Sequence, residues 1–306
     1  MGGLASDRGG SPPRLLRPHV RRGALSILGA SSRRVTERPD TDRHSIAIFH
    51  LCYASFISAP FIMFALRRTM ATMGPQASIL KQAGKVVCIG RNYADHIAEL
   101  SSAKPKQPFF FLKPTSSMLL PGEGPCVRPK GVDMHFEVEL ALVIGKLVRD
   151  LKPNDLQGAM DAIKAYAVAI DMTARNTQNE AKRKGLPWDI AKGFDTFLPM
   201  SGVIPKDAIA DPHDVELFLE VNGQVRQKGS TNLMIFQIPR ILSDISRVMT
   251  LQPGDVVLTG TPAGVGPAVH GDKVRAGVRV AGKELLEGKI ELAVEDSTRD
   301  YEFAET

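Results

Sequence analysis

The chain has few cysteines and spaces them widely. Cys52, Cys88 and Cys126 are odd in number and form no Cys-x-x-Cys pair, which excludes a disulfide framework and a zinc knuckle. There is no Asn-x-Ser/Thr sequon, and both absences suit a reducing compartment. Neither Gly-x-Gly-x-x-Gly nor Gly-x-x-x-x-Gly-Lys-Ser/Thr occurs, which removes the common nucleotide-binding loops. No period of about 20–50 residues repeats, so solenoids and propellers are excluded. Clustered basic residues are also scarce. The net charge is +6, yet residues 1–83 hold 12 Lys and Arg against 4 Asp and Glu, whereas residues 84–306 hold 27 against 29. The only basic run in that larger part, Lys182-Arg183-Lys184, is too short to follow a phosphate backbone, so nucleic-acid binding is excluded.

What is present is a globular composition, 43% hydrophobic and 24% charged over 306 residues. That length suits one large domain with an appendage. The appendage is an N-terminal extension, residues 1–83, and residues 84–306 are expected to form the catalytic domain. Up to Thr36 the extension carries seven arginines, no lysine and one acid, Asp7, the profile of a mitochondrial transit peptide leading to the matrix. A basic disordered tail has the same composition. Residues Ile46 to Leu66 then run for 21 positions without a charged side chain, long enough to span a bilayer. His50, Pro60 and the interspersed Ser and Tyr make this a poor span, so membrane contact is expected only if 46–66 is retained. Met70-Ala71-Thr72-Met73 resembles a natural start, which would leave the protein cytosolic.

Beyond Lys85 the pattern is strand-rich. Val86–Ile89, Phe109–Leu112, Phe136–Ile144, Tyr166–Ile170, Val215–Val221 and Asp255–Thr259 read as strands, with a hairpin turn at Asn222-Gly223 and later turns at Gly271-Asp272 and Ala281-Gly282. Short helices are predicted over 92–100, near 153–164, over 173–184 with a stop at Gly185, and over 238–250. Recurring hairpins favour a mixed, β-rich domain over a doubly wound sheet.

Four features carry chemistry. In His135-Phe136-Glu137-Val138-Glu139-Leu140, strand alternation turns Glu137 and Glu139 to one face. They lie at the mouth of the continuously apolar Leu140–Ile144, where two carboxylates repel unless protonated or neutralised by a metal. Asp171 ends the apolar strand before it and could join them in an oxygen-only site of Mg or Mn type, or could cap a helix starting near Thr173. His96 and Glu99 share one helix turn. Such a pair is either a general base or a surface ion pair. Lys192 is a lone lysine in apolar, glycine-containing surroundings, either desolvated toward an anion or snorkelling. The Gly-rich turn 259–266 after a strand offers backbone N–H groups for a carboxylate.

Seven motifs occur in order: Gly90-Arg91-Asn92-Tyr93-Ala94-Asp95-His96, Phe111-Leu112-Lys113-Pro114, Glu137-Val138-Glu139-Leu140, Asp171-Met172-Thr173-Ala174-Arg175, Lys184-Gly185-Leu186-Pro187-Trp188, Ala191-Lys192-Gly193-Phe194-Asp195 and Thr259-Gly260-Thr261-Pro262. Together they closely resemble the fumarylacetoacetate hydrolase superfamily, in its mitochondrial acylpyruvase and oxaloacetate decarboxylase branch, over roughly residues 84–306. The resemblance implies a mixed α/β, β-rich fold, the family's C-terminal-domain β-roll with short peripheral helices, and a homodimer using Mg²⁺ or Mn²⁺. It implies that Glu137, Glu139 and Asp171 hold the metal and that His96 and Glu99 form an acid/base dyad on a lid. Lys192 would offset developing negative charge, while Arg91, Arg175, Gln178 and Thr261 would bind substrate. The implied substrate is a small 2-oxo acid cleaved through a pyruvate enolate, by acylpyruvate hydrolysis or oxaloacetate decarboxylation. Oxaloacetate keto–enol tautomerisation needs only proton transfer at the same site. A diacid isomerase or hydratase of aromatic catabolism is a further alternative. A non-catalytic metal-binding module would have no use for His96, Glu99 or Lys192.

Overall fold

The computed structural model describes residues 79–99 and 104–306 of the chain, all within one compact unit. The arginine-rich leader and the 46–66 stretch lie outside the described residues. Among the described residues no helix is long and apolar enough to cross a membrane.

Two apolar strands form the centre. Val138–Ile144 is buried at every position and pairs antiparallel with Ile163–Ile170, Val138 opposite Ile170. Continuous apolar sequence on both requires cover on both faces, and the structure supplies it. They belong to a six-stranded sheet in the order Ile204–Pro205, Ile163–Ile170, Val138–Ile144, Val256–Leu258, Val86–Gly90, Phe109–Lys113. One face of this sheet, through Leu140, Leu142, Val168 and Ile170, packs against Leu217, Leu219, Ala276 and Val278. Those residues come from a second sheet ordered Gln224–Ser230, Glu216–Val221, Lys273–Val280, Ile290–Asp296, Cys126–Arg128. The helix Ile238–Ser246 adds Ile238, Ile241, Leu242 and Ile245 to the same core, an i, i+3, i+4, i+7 stripe. The opposite face carries small residues, Ala165, Ala167 and Ala169, beside Val86, Cys88 and Leu258, under Leu80, Leu120, Leu198 and Met200. The mixed, β-rich architecture with short peripheral helices is the expected fold class.

Local differences have local causes. The helix expected near 153–164 is Leu156–Ala162, its first turn capped by Asp155, whose Oδ1 accepts from the Gly158 N–H at 2.8 Å. The chain from Ile163 joins the sheet because Ile163 and Ala165 find partners in Ile144 and Val143. The helix expected over 173–184 begins only at Arg175, since Thr173–Ala174 pairs with Met134–Phe136. Its predicted stop holds: Gly185 adopts φ 69°. The helix at 238 ends at Ser246 rather than Thr250. Both Asn222-Gly223 (φ 53° and 78°) and Ala281-Gly282 (φ 48° and 79°) have the paired positive φ angles of type I′ hairpin turns.

Candidate active site

The site lies at one end of the small-residue face of the six-stranded sheet. Glu137 is not inside one continuous strand, as the sequence suggested. It sits between Met134–Phe136 and Val138–Ile144. Alternation nevertheless survives the break. One residue beyond the Val138–Ile170 pair, the Asp171 N–H donates to the Glu137 carbonyl at 2.8 Å, so Glu137 and Asp171 face each other across the ladder. Glu139 follows two residues on. Carboxylate oxygens of all three lie within 4.8 Å of one another, and all three residues are buried. Asp171 is not a helix cap: the helix N-cap is Ala174, with no side-chain capping bond.

Sequence reasoning missed the side chain that ties the break at Glu137 to the Gly-rich turn. Gln227 is buried and its Oε1 accepts from the Val138 N–H at 2.9 Å. Its amide nitrogen donates to Thr261 Oγ1 at 2.8 Å and to the Pro262 carbonyl at 2.9 Å. A glutamine in a hairpin strand gives no local hint of this, because all its partners are far away in the chain. Lys113 was missed too, although its motif was noticed. It is 1% exposed, and Nζ donates to Asp171 Oδ1 at 2.8 Å and to the Met172 carbonyl at 3.0 Å.

Three cations therefore serve two of the three acids. Lys192, at the end of the short helix Asp189–Lys192, is also 1% exposed, so it does not snorkel. Its Nζ meets Asp171 Oδ2 at 2.6 Å, Thr173 Oγ1 at 2.7 Å and Glu137 Oε2 at 3.1 Å. Arg175 Nη2 donates to Glu137 Oε1 at 2.7 Å, and its Nη1 donates to Gln178 Oε1 at 2.6 Å. Burial opposes ionisation of Glu137, but Lys192 and Arg175 outweigh it and hold its carboxyl below the usual range. Burial likewise opposes the charge on Lys192, yet Asp171 and Glu137 hold its ammonium above the ordinary lysine value. For Lys113 burial prevails over Asp171 and lowers the value.

Glu139 is the exception. Its Oε2 accepts from the Gly260 N–H at 2.5 Å, and among the described residues no cationic side chain pairs with it. Burial, followed by repulsion from Asp171 and Glu137, pushes its carboxyl well above the usual range. Gly260 adopts φ 98°, and a Cβ there would meet Asn92 Cβ at 2.7 Å, so only glycine brings this N–H to the carboxylate. A buried carboxylate without a counter-ion is costly. Three convergent carboxylates, one of them unneutralised, are a donor set that fits a hard divalent cation.

The remaining expected residues border the same pocket. His96 is buried on the helix Ala94–Glu99, and its Nδ1 lies 3.3 Å from Glu99 Oε2. Both Glu99 oxygens also accept from the Gly264 N–H at 3.2 Å. The N–H groups of the Gly-rich turn thus hold two of the protein's own carboxylates, Glu139 and Glu99. Arg91, Arg175, Gln178 and Thr261 line the pocket with Phe111, Lys182 and Trp188. The pocket is narrow, with a cavity volume of about 30 Å³.

Comparison with known proteins follows the same outline. The family model described as fumarylacetoacetate (FAA) hydrolase C-terminal matches residues 85–291. The chain is 54% identical over 218 residues to the mitochondrial oxaloacetate tautomerase oaa1 of Schizosaccharomyces pombe, covering 71% of this chain and 99% of that protein. It is 53% identical over 195 residues to a mitochondrial oxaloacetate decarboxylase of Dictyostelium discoideum, covering 63% and 88%. The crystal structure of fumarylpyruvate hydrolase from Pseudomonas aeruginosa in complex with Mn²⁺ and pyruvate superposes with a TM-score of 0.63 at 31% identity, covering 70% of this chain and 91% of that one.

Proposed function

The chain belongs to the fumarylacetoacetate hydrolase family, and on that premise we propose that it is a divalent-metal enzyme of small 2-oxo acids, acting on acylpyruvates and on oxaloacetate. The observation that carries the reading is the buried triad Glu137, Glu139 and Asp171, with Lys192 among the carboxylates and His96 on the same pocket. In this reading Glu137, Glu139 and Asp171 would hold Mg²⁺ or Mn²⁺, which would supply Lewis acidity to a bound 2-oxo acid. A second carbonyl or carboxylate at C4 then lies toward the pocket mouth.

Each protein side chain has a defined task. Lys192 Nζ, already charged and desolvated, sits where negative charge develops as the C3–C4 bond breaks toward pyruvate enolate. Glu99 accepts from His96 Nδ1–H and fixes the tautomer that leaves Nε2 able to take a proton. For an acylpyruvate, His96 takes that proton from water, whose oxygen attacks the C4 carbonyl; acid and pyruvate leave. For oxaloacetate no nucleophile is needed, and CO₂ departs once charge at C3 is offset. Arg175 and Gln178 form a bonded pair beside Glu137 and orient the substrate carboxylate, and Thr261, held by Gln227, closes the opposite wall. Keto–enol exchange of oxaloacetate uses the same proton-transfer group at C3, and the name of the S. pombe relative favours including it.

The test is one metal-loaded preparation assayed on acetylpyruvate and on keto and enol oxaloacetate, with Mg²⁺ or Mn²⁺ and with EDTA. Activity that vanishes in EDTA and returns with metal supports the reading; equal rates in EDTA overturn it. The relative rates rank the three reactions and separate them from a diacid isomerase. His96→Ala is expected to lower acylpyruvate hydrolysis by about 10²–10⁴ while metal still binds. The reading extends to a homodimer in the mitochondrial matrix, with the removable extension ending before Leu80, which packs in the core. Sedimentation and mass spectrometry of the mature N-terminus test those two points.

A further inference from the structure

Among Lys182-Arg183-Lys184, two side chains pair with acids that do not line the pocket. Arg183 pairs with Glu305 at 2.5 Å and Lys184 with Glu180 at 2.8 Å. Lys182 instead lines the pocket, with its Nζ 5.8 Å from the centre of the Trp188 ring. That ring makes an edge contact with Phe109, centroids 5.6 Å apart. Above Phe109, at 5.5 Å, lies the guanidinium of Arg91, another pocket-lining residue. Two cations thus rest on one continuous aromatic platform. Among the described residues no acid pairs with either.

Arg91 is held there at a backbone cost. It adopts φ 58°, a region that non-glycine residues seldom occupy and that clusters at ligand sites. The preceding Gly90 lets Phe109 lie close beneath, because a Cβ on it would come 2.2 Å from the Phe109 ring. Partial burial, then Arg175 and Arg91, lowers the value of Lys182, which reports how closely these cations crowd.

Charge and space then agree. Around the triad the three carboxylates are matched in number by three cations, Lys113, Lys192 and Arg175, none of which pairs with Glu139. A divalent cation added there leaves an excess of two positive charges, and Arg91 and Lys182 at the mouth add two more. The triad is buried, whereas Lys182 is exposed and Arg91 half-buried on the same pocket, so the two cations stand on its solvent side, where the far end of a four-carbon substrate held at the triad would lie.

We propose that Lys182 and Arg91, braced on Trp188 and Phe109, form a second anion subsite that reads the distal carboxylate of a 2-oxo dicarboxylate and favours it over a 2-oxo acid with an uncharged acyl end. This rests on the functional reading above, taking its metal and its 2-oxo acid chemistry as given. Lys182 is exposed, so its replacement does not disturb the core.

The experiment compares wild type, Lys182→Gln, Lys182→Arg and Arg91→Gln as Mn²⁺-loaded full-length protein. The kcat/KM for oxaloacetate is expected to fall about tenfold more than that for acetylpyruvate in each Gln variant, the loss of one charge-assisted contact. Lys182→Arg should keep most of the preference. Calorimetric titration with 3,3-difluorooxaloacetate and with 3-fluoropyruvate gives a readout independent of turnover. The dicarboxylate should lose about tenfold more affinity in Lys182→Gln. Equal losses for both probes, no loss for either, or no binding of either to wild type overturns the subsite. Selective weakening of the dicarboxylate in a protein that turns over neither substrate keeps the subsite and overturns the functional reading instead.

Discussion

Glu139 differs from its two neighbours in having only a backbone N–H on its carboxylate. Its raised value means that the metal-free fold binds a proton there more tightly than the unfolded chain does. The sign follows: its contribution to metal-free stability is fully present below the unfolded carboxyl value and is lost as pH rises through the higher folded one. Glu137, with its lowered value, has the opposite sign, contributing above its unfolded value and losing that contribution as pH falls. Glu139→Gln is therefore expected to raise the metal-free melting temperature at neutral pH by about 2–4 °C, an effect of roughly 1 kcal/mol. It should also abolish the stabilisation by Mg²⁺, which for wild type is about 2.7 kcal/mol at a hundredfold excess over Kd. Thermal melts with and without Mg²⁺ check both; a variant that still gains stability from the metal argues against Glu139 as a ligand. Lys113 makes the converse case. Lys113→Met leaves Asp171 Oδ1 without its cation inside the fold, and breaking such a buried pair costs about 3–5 kcal/mol. Urea unfolding reads that loss directly, and a cost below about 1 kcal/mol would show the pair to be dispensable.

At the scale of elements, the helix Ala94–Glu99 is clasped at its end by a single carboxylate, Glu99, across to Gly264. Its start is fixed more firmly by Asn92. The Asn92 amide donates to the Phe236 and Thr259 carbonyls at 2.9 and 2.8 Å, and its Oδ1 accepts from the Phe236 N–H at 2.7 Å. A short helix anchored at one end and clasped at the other opens locally before the core does. In Glu99→Ala, amide exchange at Gly264 and over 94–99 is expected to accelerate at least several-fold, while Leu140–Ile144 stays protected. Unchanged exchange at Gly264 would remove the clasp. The sequence made this helix legible, and it made the two-strand centre legible too, because apolar runs and periodicity are local signals. It did not show the strand break at Glu137, the late helix start at Arg175 or the strand start at Ile163. Each is decided by a partner far along the chain: Gln227 for the first, Met134–Phe136 for the second, Val143 and Ile144 for the third. Of the candidate site, Glu137 and Glu139 were readable because strand alternation survives a one-residue break, whereas Arg91, Arg175, Gln178 and Thr261 were named through the family resemblance alone. Lys113 was not readable, since a lysine closing the run Phe109–Leu112 reads as the exposed end of a strand.

At the scale of the molecule, the boundary of the folded unit lies further toward the N-terminus than charge and composition suggested. The texture of the sequence changes at Lys85, yet Leu80 is 1% exposed and packs with Val86, Cys88, Leu120 and Leu258 on the small-residue face of the six-stranded sheet. Lys81 adds an ion pair to Glu123 at 2.7 Å. Leu80 thus covers the same sheet face whose far end holds the carboxylate triad. Leu80 could not be assigned from sequence because Ile79-Leu80 is only a two-residue apolar pair ahead of Lys81-Gln82, and much of its cover, Leu120 and Leu258, lies about 40 and 180 positions away. Burying one leucine is worth about 1.5–3 kcal/mol, and at this domain size each kcal/mol moves the melting temperature by about 2–4 °C. A chain begun at residue 79 is therefore expected to melt about 3–12 °C above one begun at residue 84, with Leu80→Ala in the longer chain recovering most of the difference. If the two truncations melt together, Leu80 is not part of the core, and the folded unit begins where the composition changes.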